Sequence, residues 1–513
     1  MPFAIDLFCG AGGFSEGILQ AGFDILFSSD KSSMVQETYT NRHKQLGLIE
    51  GIDTHFELND IRDVTSELVF DKINSLKYGN IFNSGDVDVI FGGPPCQGFS
   101  RLGKRDSKDP RNMLFHEYLR LIRDIKPKYV VMENVRGILD MSMLDFPSVV
   151  GETYQGQHLV PEILRSELEQ LGYVVLDIQV LNAADFGVPQ QRNRAIFLAY
   201  REDVYPIQYP VPAEERVTIY DALGGLYTGD REYYSDYSIQ SSEGRTPTNH
   251  NGLPIRVETM TNMETSNHSE SVVSRFALYR EGENKNKAVK RIQSEGLDLL
   301  NIAPNLFYET LFQLNSVTNS EIIHQELIKL MGEQAVEFSN LWWVNTNKQL
   351  NQLFIAEIDN LKNDTIISLS RRLELDYDST MLFWNNIKDR LNTEITIQDL
   401  DIRLRNGQID DEIATALFTK KNIRIRLNSQ GISPTMVTLP DDFIHPYFNR
   451  VLTVREMARL QSFDDSFEFL GKRTTGGNKR ALETPQFTQV GNAVPPLLAK
   501  AVAQEVMRAL ERA

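Results

Sequence analysis

Cys96 is the residue of this sequence best suited to covalent chemistry. It follows Gly92-Gly93-Pro94-Pro95 and an apolar run, Asp88–Phe91, that predicts a buried strand. Two glycines and two prolines fix the backbone and remove bulk, so this loop would hold a side chain rigidly at the carboxyl end of a strand, where open α/β sheets build their sites. The chain has only two cysteines, which gives Cys96 no evident disulfide or zinc site. The alternative is a small buried residue in a turn, and the neighbouring blocks argue against it.

A second polar block ends the next predicted strand. The apolar run Tyr129–Met132 continues into Glu133-Asn134-Val135, which turns a carboxylate toward the same carboxyl edge of the sheet. Further along, Gln190-Gln191-Arg192-Asn193-Arg194 leads into the apolar strand Ala195–Ala199. The sequence therefore predicts a thiol and a carboxylate at one sheet edge.

A glycine-rich turn near the N-terminus predicts a nucleotide-binding βα unit. Cys9-Gly10-Ala11-Gly12-Gly13 lies between a strand over residues 3–8 and a helix that includes Ile18–Ala21. Glycines there let ligand atoms approach the backbone at a helix N-terminus, although glycine turns without a ligand are common. Asp30 ends a second strand about 20 residues later, where an acidic residue accepts ribose hydroxyls. A solvated carboxylate is the alternative for Asp30.

Alternating strands and helices position these blocks. Asn59-Asp60-Ile61 closes a third βα unit, and further elements are predicted in the order helix His116–Lys126, helix Leu159–Leu171 and strand Val174–Val180. Such alternation over about 200 residues predicts an α/β protein with a doubly wound parallel sheet.

The second half of the chain has a different character. Residues 201–260 resemble a loop region, and residues 270–420 have largely helical patterns. Residues 420–426 alternate basic and apolar side chains, which predicts a strand whose basic face is either solvated or turned toward phosphates. Helices are predicted again over Val454–Gln461 and Pro496–Leu510.

Composition indicates a globular intracellular protein. The 513 residues are 41% hydrophobic and 24% charged, and two cysteines suit a reducing compartment. No charged leader and no apolar run of about 18 residues is present, so we expect a cytoplasmic location without a membrane span. The net charge of −17 argues against a protein that is coated over its whole surface by nucleic acid, but it allows a local basic cleft that binds phosphates.

Six blocks, in order and at suitable spacing, resemble the motifs of the cytosine-C5 DNA methyltransferases. They correspond to the family's cofactor loop, nucleophile loop, two catalytic support motifs, bracing helix and last cofactor motif: residues 6–14, 94–97, 133–135, 190–194, 455–463 and 489–496. The resemblance covers about 1–200 and 433–510. It implies an enzyme of the bacterial or phage restriction-modification type.

The resemblance also implies an S-adenosylmethionine-dependent methyltransferase fold, a Rossmann-like doubly wound sheet with a second, smaller target-recognition domain. S-adenosyl-L-methionine is the implied cofactor. By motif position, Phe8 stacks on the adenine, Asp30 binds the ribose, and Asp60 with Ile61 meets the adenine edge. The residues expected along the methionine and closing the pocket are Gly10, Ala11, Gly13, Pro95, Leu114, Asn492 and Ala493. For Leu114 and Ala493, ordinary packing is the alternative.

The implied reaction methylates C5 of cytosine. C5 is a poor nucleophile until a thiolate, here that of Cys96, adds to C6 and creates an enamine. Glu133 is expected to present a proton to N3, and Arg192 to hold O2. Arg194 is either a further catalytic group or a structural partner of Glu133 or of a phosphate. The base that removes the C5 proton stays open, with water as one choice.

A stacked base is out of reach, so the target cytosine must be flipped out of double-stranded DNA. We expect residues 1–200 to form the catalytic and cofactor-binding domain, 201–484 the target-recognition region with a helical insert, and 485–513 a segment returning to the catalytic domain. The enzyme is expected to act as a monomer on DNA, alongside a restriction endonuclease for the same site. Candidate phosphate contacts are Arg101, Lys104, Arg105, Lys472, Arg473, Lys479 and Arg480.

Three other functions compete with this one. An RNA cytosine methyltransferase would use the same Cys96 chemistry, but the long insert over 201–432 argues against a compact tRNA-directed enzyme. A non-catalytic DNA-binding module would not need Cys96, Glu133 and Arg192 together. An NAD-dependent oxidoreductase has no use for the Pro-Pro-Cys and Glu-Asn-Val blocks.

Overall fold

Contacts within the chain separate a sheet unit from a helical unit. The computed structural model describes residues 2–95, 113–213, 215–227, 232–331, 350, 353–354, 363–419, 423–475 and 483–512. The sheet unit comprises Met1–Glu264, Asn428–Pro440 and Leu452–Ala513, and the helical unit comprises Thr265–Leu427 and Asp441–Val451. These boundaries differ from the predicted ones after residues 200 and 484, because the sheet unit extends to Glu264 and resumes at Leu452.

The sheet unit is built on one eight-stranded sheet with the order β3-β2-β1-β4-β5-β10-β8, in which β9 also pairs with β10. A separate antiparallel hairpin joins β6 and β7. The strands are β1 (Phe3–Leu7), β2 (Asp24–Asp30), β3 (His55–Leu58), β4 (Val89–Gly92), β5 (Tyr129–Val135), β6 (Ser142–Phe146), β7 (Tyr154–Leu159), β8 (Tyr173–Val175), β9 (Gln179–Asn182) and β10 (Asn193–Arg201).

The prediction of an entirely parallel sheet is wrong at one side. Strands β1 to β5 are parallel, but β10 runs antiparallel to β5, β8 and β9. The chain returns from β9 to β10 through a short 3-10 turn, Ala183–Phe186, and Gly187 at φ 77°, without a crossover helix. Such a connection makes neighbouring strands antiparallel. The predicted strand Val174–Val180 is likewise two strands, β8 and β9, which pair with different parts of β10.

Helices cover both faces of the sheet, which confirms the α/β prediction. In β4, Ile90 packs with one apolar cluster while Val89 and Phe91 pack with the cluster on the other face, as the alternation of side chains in a strand requires. The helices of the described residues are α1 (Gly13–Gln20), α2 (Ser33–Gln45), α3 (Ser66–Asn74), α4 (Leu114–Ile125), α5 (Val160–Gln170), α6 (Ile219–Leu223), α7 (Asp236–Glu243), α8 (Glu270–Ala277), α9 (Lys285–Glu295), α10 (Leu299–Ile302), α11 (Pro304–Leu314), α12 (Ser316–Met331), α13 (Asn363–Leu373), α14 (Tyr377–Ile387), α15 (Ile397–Arg405), α16 (Asp411–Phe418), α17 (Val454–Leu460), α18 (Gln486–Asn492) and α19 (Pro496–Leu510).

The helical unit contains α8 to α16 and one two-stranded parallel sheet, β11 (Ile425–Arg426) with β12 (Phe443–Ile444). The predicted basic strand over 420–426 is therefore reduced to β11 within the described residues. Arg426 is buried, and its guanidinium donates to the carbonyls of Tyr279 and Phe276 at 2.8 Å each. At this position the basic side chain holds the unit together and is not free for phosphates. No helix among the described residues has the length and apolarity to cross a membrane.

Candidate active site

A cavity of about 610 Å³ in the sheet unit lies at the carboxyl ends of the parallel strands. Each of β1 to β5 contributes its last residues or those that follow it, because parallel strands present these ends at one edge. The lining residues from these strand ends are Phe8, Cys9, Gly10, Ala11, Ser29, Asp30, Lys31, Ser32, Asn59, Asp60, Ile61, Gly93, Pro94, Pro95, Glu133, Asn134 and Val135.

The glycine-rich turn after β1 brings bare backbone to the cavity. Phe8 has φ 58° and Gly10 has φ 54°, which is the left-handed region. A residue with a side chain is strained in that region by about 1–3 kcal/mol, so the surrounding fold must hold Phe8 in this conformation. A Cβ placed on Gly10 would meet no atom within 4 Å, so open space lies directly against this peptide. Cys9 is buried, and burial raises the pKa of its thiol well above the ordinary value, as suits an inert residue.

Asp30 is bonded to the same turn. Its carboxylate accepts hydrogen bonds from the backbone N–H of Gly10 at 3.3 Å and of Ser32 at 2.9 Å. Burial raises the pKa of Asp30, and these backbone hydrogen bonds oppose that rise. The carboxylate thus links the ends of β1 and β2 at the wall where a ribose was expected.

Asp60 lines the cavity from the loop after β3, but its carboxylate already has a partner. Arg62 donates to both of its oxygens, at 2.8 and 2.7 Å, and these bonds lower the pKa of Asp60 to about 2. Beside it Ile61 is buried, as are Leu114 and Ala493, so the three present apolar surface to the cavity. Asn492 lines the cavity together with its sequence neighbours Gly491 and Val494.

Gly13 is the one expected cofactor residue that does not line the cavity. It begins α1 and packs against the segment before α19: a Cβ there would lie 2.3 Å from the carbonyl oxygen of Val494 and 3.0 Å from the Cβ of Ala493. Its missing side chain allows close packing of two segments, and the other ten expected cofactor residues line the cavity.

Glu133 and Arg194 form a buried ion pair in the lining of the cavity. They lie on the adjacent antiparallel strands β5 and β10, and Nε of Arg194 contacts Oε1 of Glu133. The other carboxylate oxygen lies beside Gly93, where a Cβ would come within 3.3 Å. Asn134 donates to the carbonyl of Pro94 at 3.0 Å and so fixes the loop that leads to Cys96. The structural pairing considered for Arg194 is present.

Arg192 also lines the cavity, but its terminal nitrogens bond to backbone. Nη1 donates to the carbonyl of Met436 at 3.1 Å and Nη2 to that of Gly491 at 2.9 Å. The contacts observed are those of a group that holds two segments together. The expected contact of Arg192 with a cytosine O2 is untested, and Arg194 becomes a second candidate for it because it contacts Glu133.

Helix α17, predicted from the family resemblance to be a bracing helix, carries a buried charge network within the sheet unit. Arg459 donates to both oxygens of Asp465, at 2.5 and 2.6 Å, and to the carbonyls of Ala222 and Gly224. Arg455 donates to the carbonyls of Asp464 and Phe467, and burial lowers its pKa to about 10. These bonds attach α17 to the segment that follows it and to the C-terminal end of α6.

Some predicted residues lie outside the described part of the chain: Cys96, Arg101, Lys104, Arg105, Lys479 and Arg480. Of the two remaining candidates for phosphate contacts, Lys472 pairs with Glu483 at 3.0 Å and Arg473 donates to the carbonyl of Glu264 at 2.9 Å. Sequence reasoning missed the lining residues Thr435–Thr438. No motif marks them, because they reach the cavity only through long-range contacts.

Comparisons with known proteins identify the family of this chain. A sequence model of C-5 cytosine-specific DNA methylase matches residues 3–508. Type II methyltransferase M.DdeI of Desulfomicrobium norvegicum is 27% identical over 98% of this chain and 88% of that protein. Type II methyltransferase M.AgeI of Thalassovita gelatinovora is 27% identical over 99% of each chain.

A solved structure, that of a proposed DNA modification methyltransferase from an E. coli prophage, aligns over 100% of both chains with a TM-score of 0.56 at 19% identity. That likeness supports the fold. The family match extends over nearly the whole chain and so includes all six sequence blocks. The chain therefore belongs to the C-5 cytosine-specific DNA methylase family, and the prediction of a DNA cytosine-C5 methyltransferase is confirmed.

Proposed function

We propose that this enzyme transfers a methyl group from S-adenosylmethionine to C5 of a flipped-out cytosine in double-stranded DNA, through a covalent bond between Cys96 and C6. One observation carries the proposal. The glycine-rich turn with Asp30 and the Glu133–Arg194 pair line a single cavity, and Pro94-Pro95, directly before Cys96 in the sequence, line it too.

The cavity suits S-adenosylmethionine. The open space against Gly10 would admit the methionine part of the cofactor close to the backbone, and the Asp30 carboxylate would accept hydrogen bonds from the ribose hydroxyls. Phe8 and Ile61 offer apolar surface for the adenine. The bound cofactor would supply an electrophilic methyl group. Asp60 would meet the adenine amine through Oδ2, which accepts a hydrogen bond from Nη2 of Arg62 and has a second lone pair for the amine.

The chain's own residues would activate the cytosine. The Cys96 thiolate adds to C6, a sulfur–carbon bond forms, and electron density moves toward N3 and O2 while C5 becomes nucleophilic. Glu133 would hold a proton at N3. We assign the O2 contact to Arg194, because it contacts Glu133 while the terminal nitrogens of Arg192 bond to carbonyls. After C5 has accepted the methyl group, loss of its proton and cleavage of the sulfur–carbon bond restore the aromatic ring.

The target-recognition region proposed from the sequence, residues 201–484, would read the DNA sequence. It includes the helical unit. The names of the relatives, which describe Type II methyltransferases, support a restriction endonuclease for the same site as a functional companion. We propose that the enzyme binds DNA as a monomer.

Two assays test this function in vitro. S-adenosylhomocysteine should raise the melting temperature of the protein and NAD should not, since a ligand stabilises the state that binds it. Labelled methyl groups from S-adenosylmethionine should appear in unmethylated double-stranded DNA. Label in RNA and none in DNA would favour the RNA methyltransferase instead.

A further inference from the structure

Residues Asn428–Pro440 belong to the sheet unit, although the segments before and after them in the sequence belong to the helical unit. Four consecutive residues of this segment, Thr435–Thr438, line the cavity. Met436 among them is 1% exposed, so its side chain is part of the packed wall. A wall made by a returning segment must be held in place by long-range bonds.

The two backbone polar groups of Met436, its N–H and its carbonyl, are both held by the block at 190–194. The N–H of Met436 donates to Oε1 of Gln190 at 2.8 Å, and its carbonyl accepts from Nη1 of Arg192 at 3.1 Å. Gln190 is fully buried, and its own amide donates to the carbonyl of Leu460 at 3.1 Å, which fixes the orientation of the side chain. The backbone N–H of Gln191 donates to the carbonyl of Ser433 at 2.7 Å, and the N–H of Ser433 donates to the carbonyl of Pro189 at 3.1 Å, which extends the attachment.

Arg192 connects this wall to a second one. Its Nη2 donates to the carbonyl of Gly491, which adjoins the lining residues Asn492–Val494. The two walls also touch directly, because a Cβ on Gly491 would lie 2.7 Å from the carbonyl carbon and oxygen of Val437. One guanidinium group therefore sets the spacing of two stretches that both face the cofactor cavity.

We propose that Gln190 and Arg192 are positioning residues that clamp Thr435–Thr438 against 491–494 and so set the width of the cofactor cavity. This inference rests on the proposed function, because the ligand of the cavity is taken to be S-adenosylmethionine. Loss of either side chain leaves buried backbone groups without their partner and frees the wall. Cofactor affinity then falls because the cavity is no longer formed in advance.

Calorimetric titration with S-adenosylhomocysteine tests the clamp. Arg192→Met and Gln190→Leu should each raise the Kd at least about tenfold, with kcat at saturating cofactor within about threefold of wild type. Gln191→Leu is the matched control and should leave Kd unchanged, because the Gln191 side chain is exposed. The Kd of the double variant should exceed that of the weaker-binding single variant by no more than about twofold, since both side chains hold the backbone of the same residue, Met436.

An unchanged Kd with kcat lowered about 100-fold in Arg192→Met would overturn the clamp and make Arg192 a catalytic residue. If Arg192→Met does not fold, Arg192→Lys decides: lysine reaches one carbonyl, so a Kd raised about fivefold supports the clamp and an unchanged Kd refutes it. Wild-type protein that binds no S-adenosylhomocysteine would refute the proposed function, which separates the two failures.

Discussion

Replacing Gly17 with alanine is expected to destabilise the sheet unit, although alanine is the better helix former. Gly17 lies inside α1 on the face that packs against α19. A Cβ at this position would lie 2.4 Å from the backbone nitrogen of Lys500, 2.5 Å from the Cβ of Ala499 and 2.6 Å from the carbonyl oxygen of Pro496. Backbone atoms cannot rotate away as a side chain does, so the two helices must separate.

The size of the effect follows from two opposing terms. Ordinary contact begins near 3.4 Å, so α19 must move by about 1 Å. Alanine gains roughly 1 kcal/mol of helix propensity over glycine, whereas overpacking costs about 1–3 kcal/mol. Because two of the three clashing atoms are backbone, we place the cost at the upper end and expect a net loss of about 2 kcal/mol. Movement of α19 also shifts 493–494 at the cavity, so cofactor affinity should fall with stability.

Urea unfolding followed by circular dichroism measures this change. Gly151→Ala is the matched control, because a Cβ there has its nearest neighbour, Oε1 of Gln170, at 3.8 Å and should be neutral. A Gly17→Ala protein whose unfolding midpoint equals or exceeds that of Gly151→Ala would refute the packing described for α1 and α19.

Three further perturbations have definite expected outcomes. Burial raises the pKa of Asp6 from 3.8 to about 7, so the folded state keeps a proton that the unfolded state releases. The free energy of unfolding should therefore fall by on the order of 4 kcal/mol as the pH rises from about 4 to about 7. Urea unfolding across that range should show a flatter slope for Asp6→Asn. Asp465→Ala leaves the buried Arg459 without its carboxylate and should lower the unfolding free energy by about 3–5 kcal/mol, with no loss contradicting the brace. Glu133→Gln should lower methyl transfer at least about 100-fold in a labelled-methyl assay; near-normal transfer would exclude Glu133 as the proton donor to N3.

Much of the sheet unit was predictable because its signals are local. Buried strands are short apolar runs that end in polar residues, so the sequence predicts Asp30 and Glu133 at strand ends, and both line one cavity. The helix Pro496–Leu510 was predicted with its observed bounds. The antiparallel direction of β10 was missed, because strand direction depends on the connection between strands and not on the apolar pattern itself.

The remaining parts of the site depend on contacts between distant residues. Met436 bonds to Gln190 and Arg192, which are more than 240 positions away in the sequence, and no motif near Met436 predicts these contacts. Gly13 shows the opposite case. It belongs to a glycine-rich motif that predicts cofactor contact, yet the lack of a side chain allows it to pack against Val494. A motif fixes which residues are near a site, and tertiary packing decides which of them touch a ligand.

Bisulfite sequencing of genomic DNA from a methylation-free bacterial host that expresses this chain tests the central proposal most directly, with Cys96→Ala expressed beside it. We expect methylated cytosines in one short sequence context, absent from the Cys96→Ala culture. Unmethylated DNA from a soluble wild-type protein that binds S-adenosylhomocysteine would contradict DNA as the substrate. Methylation that persists in Cys96→Ala would contradict the covalent mechanism.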